Sequence, residues 1–179
     1  MTYEISAGAS RQPVMQELTI PNSPDLIEPL GRMGIADTHL GLVLRYTVKT
    51  ISGLYVDESL DATSKERIVE TRQRVRRLFK EKKPTAIETA KLDALLGKAS
   101  RLTAKRNGYL HSALSVSPAG QTIIKSEENH SWGPAPRKDE VEGVTSELLA
   151  LGKEINRERL HGFINDVVQR QPPSTQTVP

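Results

Sequence analysis

Apolar side chains at Leu92, Leu95, Ala99, Leu102 and Leu110 recur at three- and four-residue steps, with Arg106 standing on the same seam. That spacing describes one face of an α-helix, and a helix with a single apolar stripe must bury it against other helices. Pro84 at a first-turn position and the Thr85-Ala86-Ile87-Glu88 capping pattern start this segment, which is expected to end near Ala113. Arg106 breaks the stripe. A guanidinium there is costly unless it is paired or faces a cleft, or unless its stem lies along the core and its head reaches water. Gly108 costs about 1 kcal/mol in a helix interior and Asn107 is a poor helix former, so the helix is expected to loosen between them.

The same periodicity recurs on both sides. Asp25 to Pro29 reads as a helical turn that Pro29 ends or redirects. A helix follows from Leu30 or Ile35 to about Tyr55, with Leu40, Leu44, Val48, Ile51 and Tyr55 on one face and Leu42, Val43 and Tyr46 widening it. Asp57 to Asp61 is a polar break, and Thr63-Ser64-Lys65-Glu66 has the capping-box form that opens a second helix running to about Lys82. Ile68, Val75, Leu78 and Phe79 are its sparse apolar residues, while Arg72, Arg74, Arg76, Arg77, Lys80, Lys82 and Lys83 read as a solvated basic face.

After the Arg106 segment, Leu114-Ser115-Val116 and Thr122-Ile123-Ile124 flank a Pro118 and Gly120 turn as a small β-hairpin. Residues 126–137 read as an irregular loop whose Trp132 packs onto the bundle. A last helix begins between Asp139 and Thr145 and reaches about Gln169, burying Leu148, Leu151, Ile155, Leu160, Phe163, Ile164 and Val167 with a shift near Asn156 to Arg159. His161, between apolar neighbours, reads as a structural histidine. The expected architecture is all-α, a four-to-five-helix bundle over residues 25–170 with the hairpin inserted before the last helix. Residues 1–24 form a partly flexible arm, in which Val14-Met15 and Leu18-Thr19-Ile20 are the only candidates for a docked strand or turn, and residues 171–179 form a disordered tail.

Composition narrows the chemistry. With 36% hydrophobic residues but only two Phe and one Trp among 179, the core is expected to be aliphatic, which suits packed helices. The 25 Lys and Arg against 22 Asp and Glu give +3, compatible with nucleic acid but too mild to imply it. The absence of cysteine excludes disulfides, thiolate zinc sites and cysteine nucleophiles. No basic-then-apolar leader opens the chain and no apolar run reaches the ~18 residues of a membrane span, so a soluble cytoplasmic protein is expected.

The four histidines are far apart, and none stands at the four-residue spacing with a carboxylate that marks a zinc helix, so neither metal nor cofactor is expected. His130 beside Glu127 and Glu128 is a weak alternative. No Gly-rich loop follows a strand, which removes nucleotide sites of the P-loop or Rossmann type. Ser112 follows His111 directly, and adjacent helical residues do not face one another. Arg106 and His111 remain.

Arg106-Asn107-Gly108-Tyr109-Leu110-His111 resembles the motif of an arginine, a polar residue, three further residues and a histidine that marks the HEPN superfamily, named for higher eukaryotes and prokaryotes nucleotide-binding domains. The helix order from about 30 to 170 extends the resemblance. It implies a metal-independent endoribonuclease whose motifs converge from two subunits, either a toxin or a defence effector, with a cognate antitoxin or regulatory protein as a further partner. His111 would act as general base or acid, Arg106 would bind the scissile phosphate and Asn107 would orient one of them, with Lys105 and Tyr109 as substrate-binding candidates, although a core or interface position is the plainer expectation for Tyr109. The competing implication is a non-catalytic HEPN-like dimer that binds a protein or a nucleotide.

At ~100° per residue, positions five apart on an ideal helix point about 140° from each other. A single regular helix is therefore not expected to aim Arg106 and His111 at one phosphate. Either the helix loosens at Gly108 or two subunits complete the site, in a symmetric dimer packed along the Arg106 helix and the last one.

Overall fold

The computed structural model describes residues 24–117, 119–125 and 131–170. Six helices appear among them: α1 (Pro24–Ser52), α2 (Val56–Thr63), α3 (Ile68–Glu81), α4 (Ala86–Leu110), α5 (Lys138–His161) and α6 (Phe163–Gln169). Three short strands, β1 (Ala113–Val116), β2 (Thr122–Lys125) and β3 (Trp132–Pro134), lie between α4 and α5. The helical bundle expected from the periodicity is present, built around α1, which packs on α5 and α3 and touches α2, α4 and α6. Its seam of Met33, Leu40, Leu44, Val48 and Ile51 is sealed from water, and Val75, Leu92, Leu148, Leu151 and Ile164 meet it from the other helices. Among the described residues Phe79 is the one aromatic side chain buried in this core, which is otherwise aliphatic apart from Met33.

The first helix is longer than the sequence suggested. Pro29 lies inside α1 instead of ending it. It removes a hydrogen bond only to the carbonyl of Asp25, which is exposed at the helix start, where water can replace the lost donor. At the other end Gly53 adopts φ 74° and its N–H reaches the carbonyl of Lys49 at 3.0 Å, a left-handed stop that a side chain would strain. Tyr55 therefore falls outside the helix and is exposed instead of completing the apolar face.

The stretch read as a polar break is α2, and Thr63 closes that helix rather than capping the next. Its hydroxyl donates back to the carbonyl of Ser59 at 2.8 Å. Helix α3 starts later, at Ile68, where the Glu70 carboxylate accepts the Arg67 N–H at 2.8 Å. Glu58, Glu88 and Glu140 make the same contact at the starts of α2, α4 and α5, at 3.0, 2.8 and 2.9 Å. A glutamate three residues into the helix is thus the recurrent start signal, supporting free backbone donors and the positive end of the helix dipole.

Only α4 has the reciprocal half, with the Thr85 hydroxyl accepting the Glu88 N–H at 3.3 Å, as the sequence predicted. Pro84 stands just before that cap and not in the first turn. Thr85→Ala is expected to cost about 1 kcal/mol, read as a fall of about 3 °C in thermal midpoint; an unchanged midpoint would show that the box contributes nothing.

Glu88 also joins α4 to the end of α6. Arg170 Nη1 donates to its Oε2 at 3.2 Å, and Arg170 Nη2 pairs with Oε1. These bonds, with those from Thr85, hold the Glu88 carboxyl down at about 2 from the usual 4.5. A carboxylate depressed by folding stabilises fully above the unfolded pKa and loses that contribution as pH falls through the folded one. The thermal midpoint of Glu88→Gln is therefore expected to lie below that of the unsubstituted protein above pH 4.5 and to converge on it toward pH 2. A gap that stays constant over that window would contradict the pairing.

β1 and β2 form the expected antiparallel hairpin, with Leu114 opposite Ile124 and Val116 opposite Thr122. Gly120 turns it at φ 77°, while the Pro118 part of that expectation lies outside the described residues. The region read as an irregular loop contributes a third strand, in which Trp132 pairs with Lys125. Trp132 is half-buried on this edge strand and does not plug the core. Helix α5 runs unbroken through Asn156 to Arg159, and the interruption falls at Gly162 instead. Leu160 and His161 are exposed beside that break, so neither is a core residue. Phe163, just beyond it, meets Phe79 edge-on at 5.9 Å and 89°. The expectations for the arm at 1–23 and the tail at 171–179 lie outside the described residues. No helix among the described residues is long and apolar enough to cross a membrane.

Candidate functional site

Where α4 leaves the core, its last turns, the middle of α1 and the start of α3 enclose a cleft of about 680 Å³. Asp37, Gly41 and Arg45 stand four residues apart on α1 and so share one face of that helix, which forms one wall. Residues Glu66 to Val69 and Thr71 form the second wall, and Thr103, Arg106, Asn107 and His111 the third.

Arg106 sits one turn beyond Leu102 on the buried stripe, and its side chain is only 17% exposed. It is paired as well as facing a cleft. Nη2 forms an ion pair with Asp37 Oδ2, whose side chain is 8% exposed, and Nη1 donates to Asn107 Oδ1 at 2.7 Å. The same Nη1 lies 3.3 Å from His111 Nε2. Because a guanidinium only donates, that contact is a hydrogen bond when Nε2 carries its lone pair and the other ring nitrogen carries the proton.

This geometry corrects the expectation that one regular helix cannot bring the two together. Helix α4 remains helical through Gly108 and Leu110, and His111 caps it, with φ −97°, ψ −10° and its N–H on the carbonyl of Asn107 at 3.0 Å. Neither loosening nor a second subunit is needed for the pair to meet. The reach of the arginine and the position of the imidazole on the helix cap close the angular gap.

Tyr109 and Lys105 are placed elsewhere. Tyr109 lines a different cleft of about 770 Å³, with Ile124, Pro134, Pro136, Arg137 and Glu140 among its walls. Burial, and then the negative charge of Glu140, push its phenol above the usual 10. Lys105 is exposed and lines neither cleft. Asn107 lines both, so the end of α4 is the ridge between them.

Asp37 is the residue that sequence reasoning missed. It lies four residues after Met33 and three before Leu40, on the buried seam of α1, and is itself 6% exposed. An acid on one apolar seam and an arginine on another was the available signal, since buried charges survive by pairing. Arg72 was also misread, because it is 8% exposed and not part of a solvated face. Burial and the charge of Arg76 lower its affinity for its proton, while Asp37 opposes them. Arg74 pairs with Glu66, and Arg76 pairs with Asp93 at 2.7 Å, which spends part of the basic run on ion pairs.

The cleft has unspent hydrogen-bonding capacity. Asp37 Oδ1, Thr103 Oγ1, Arg106 Nε and Glu66 Oε2 are buried atoms with no hydrogen-bond partner, and all four residues line it. Such atoms are costly unless something else satisfies them. No group of three or more histidines and carboxylates suited to a metal ion occurs among the described residues, and the His130 alternative lies outside them. No family model, curated protein or solved structure matches this chain.

Proposed function

We propose that the chain is a HEPN-like, metal-independent endoribonuclease, and that Arg106 and His111 form its reacting pair. The observation that carries this reading is the approach of Arg106 Nη1 to His111 Nε2 at 3.3 Å at the edge of an open cleft. In the reaction, the ribose 2′-oxygen forms a bond to the adjacent phosphorus and the bond from phosphorus to the 5′-oxygen breaks. One proton leaves the 2′-hydroxyl and one must reach the departing oxygen. An imidazole with an unperturbed pKa of about 6.5 can serve either step near neutrality. The Arg106 fork matches the phosphate oxygens and stabilises the charge that accumulates on them, while Asn107 holds the fork in orientation.

The transfer needs both a base and an acid, and each chain brings one histidine to this cleft. A homodimer that sets two clefts face to face supplies both. Ile35, Leu42, Val69 and Leu110 support that arrangement, since they are exposed apolar residues at 73%, 38%, 43% and 37%. Leu42 and Val69 line the cleft, and Leu110 immediately precedes His111. A toxin or defence role, held in check by a cognate antitoxin or regulatory protein, is the setting this activity suits.

The test is incubation of the purified protein with mixed RNA in EDTA. Cleavage that survives the chelator is expected, together with a dimer by sedimentation. RNA left intact across pH and salt conditions would refute the nuclease reading.

One observation favours the non-catalytic alternative, a HEPN-like dimer binding a protein or nucleotide: the Arg106 fork is already paired with the buried Asp37 carboxylate. In that case the RNA survives, and Arg106→Ala changes folding stability without changing any activity.

A further inference from the structure

The reacting pair takes up only part of the cleft lining. Away from that pair, Arg45 lies eight residues beyond Asp37 on the same face of α1, about 12 Å along the helix axis at 1.5 Å per residue. Arg45 is half-buried, lines the cleft and makes no ion pair among the described residues. The start of α3 at Ile68 lines the same cleft; its cap Arg67 offers no side-chain acceptor, and the Glu70 carboxylate takes up the Arg67 N–H. Arg67 itself is tied to Glu70 at 3.1 Å, an exposed contact that a ligand can replace. Both acids at this end are paired with cations, Glu70 with Arg67 and Glu66 Oε1 with Arg74, while Glu66 Oε2 is buried without a hydrogen-bond partner among the described residues.

At the Arg106 end, Asp37 Oδ1 and Thr103 Oγ1 have no hydrogen-bond partner among the described residues, in residues that line the cleft and are each 6% exposed. A carboxylate oxygen calls for a donor such as a ribose hydroxyl, and a threonine hydroxyl serves one equally well. The cleft is therefore lined by a phosphate-binding fork with hydroxyl-binding oxygens beside it, and by a second cation, Arg45, together with the start of α3.

Resting on the ribonuclease reading, we infer that Arg45 and the start of α3 form a second phosphate subsite, which holds the backbone of a single-stranded RNA next to the cleaved linkage. The preferred substrate is then a strand with at least two phosphates in the cleft. Arg45 is a binding residue, separate from the reacting pair.

The experiment measures binding of fluorescein-labelled pentauridylate by anisotropy over a range of salt concentrations, with His111→Ala as the non-cleaving parent and Arg45→Met, Arg45→Lys and Arg77→Met added to it. Arg45→Met is expected to weaken binding about tenfold and to flatten the salt slope by about 0.7, the share of one phosphate contact on a single strand. Arg45→Lys is expected to restore the slope, and Arg77→Met, on the exposed face of α3, to change neither quantity. Thermal midpoints taken alongside separate loss of contact from loss of fold. Unchanged affinity and slope in Arg45→Met, or no binding by the parent at all, would overturn the subsite. If the subsite fails while His111→Ala still abolishes cleavage, the ribonuclease reading stands alone. Arg45-dependent binding by a protein that never cleaves RNA would leave the subsite and remove the nuclease.

Discussion

His111→Ala is expected to reduce RNA cleavage by roughly a hundred- to ten-thousandfold, the usual contribution of a positioned proton-transfer group, while leaving the thermal midpoint almost unchanged. His111 is exposed, and among the described residues its ring is held only by Arg106, so its removal takes away little folding energy. Arg106→Lys is expected to lose most of the activity too, because an ammonium cannot reproduce a planar fork that contacts Asp37, Asn107 and the imidazole together. Equal cleavage by the His111 variant and the parent would remove this histidine from the chemistry. A large drop in midpoint would instead assign it a structural role.

The second large effect concerns Asp37. Its removal leaves Arg106 without its buried counter-ion and takes away the carboxylate that opposes the desolvation of Arg72. Breaking a buried pair from one side costs about 3–5 kcal/mol in the general case. Because the Arg106 side chain is 17% exposed and can turn toward water, Asp37→Ala is expected at the lower end, about 3 kcal/mol. The measure is the urea midpoint at constant slope, which reports stability and not a change in the unfolded chain. Adding Arg106→Met to Asp37→Ala should recover part of the loss, since a buried apolar side chain replaces an orphaned charge. A fully additive double variant would mean that the two residues do not interact energetically.

These two residues show what was legible in the sequence and what was not. Arg106 stood out because it interrupted an otherwise apolar stripe, and the structure keeps it on that stripe, paired and facing a cleft. Asp37 interrupts the α1 seam in the same way, but Pro29 hid the true start of that helix. With α1 read from Leu30 or Ile35, the three-residue step from Asp37 to Leu40 fell at an expected helix end, where acids are routine. The helical bundle and the β1–β2 hairpin followed from local periodicity and turn chemistry, which need no tertiary information.

The errors arose where distant contacts decide. Thr63 matched a capping box, yet it is the last residue of α2, and Glu70, not Glu66, satisfies the free donor at the next helix start. Trp132 looked like a core plug, but pairing with Lys125 draws it into a third strand. The 140° argument about Arg106 and His111 was sound for two short side chains on an ideal helix. It failed because a long arginine can run along the helix surface while the histidine occupies the cap. Tyr109 was a candidate lining residue of the reactive cleft with a core or interface position as the plainer alternative, and it packs against the core beside a second cleft that holds Glu140.

The most direct test of the Arg106–His111 pair is end-group analysis of RNA cut in EDTA by the parent protein and by His111→Ala, side by side. The proposed chemistry predicts fragments ending in 2′,3′-cyclic phosphate with the parent and almost none with the variant. Fragments with 3′-hydroxyl ends, or the same cyclic ends at the same rate from both proteins, would contradict it.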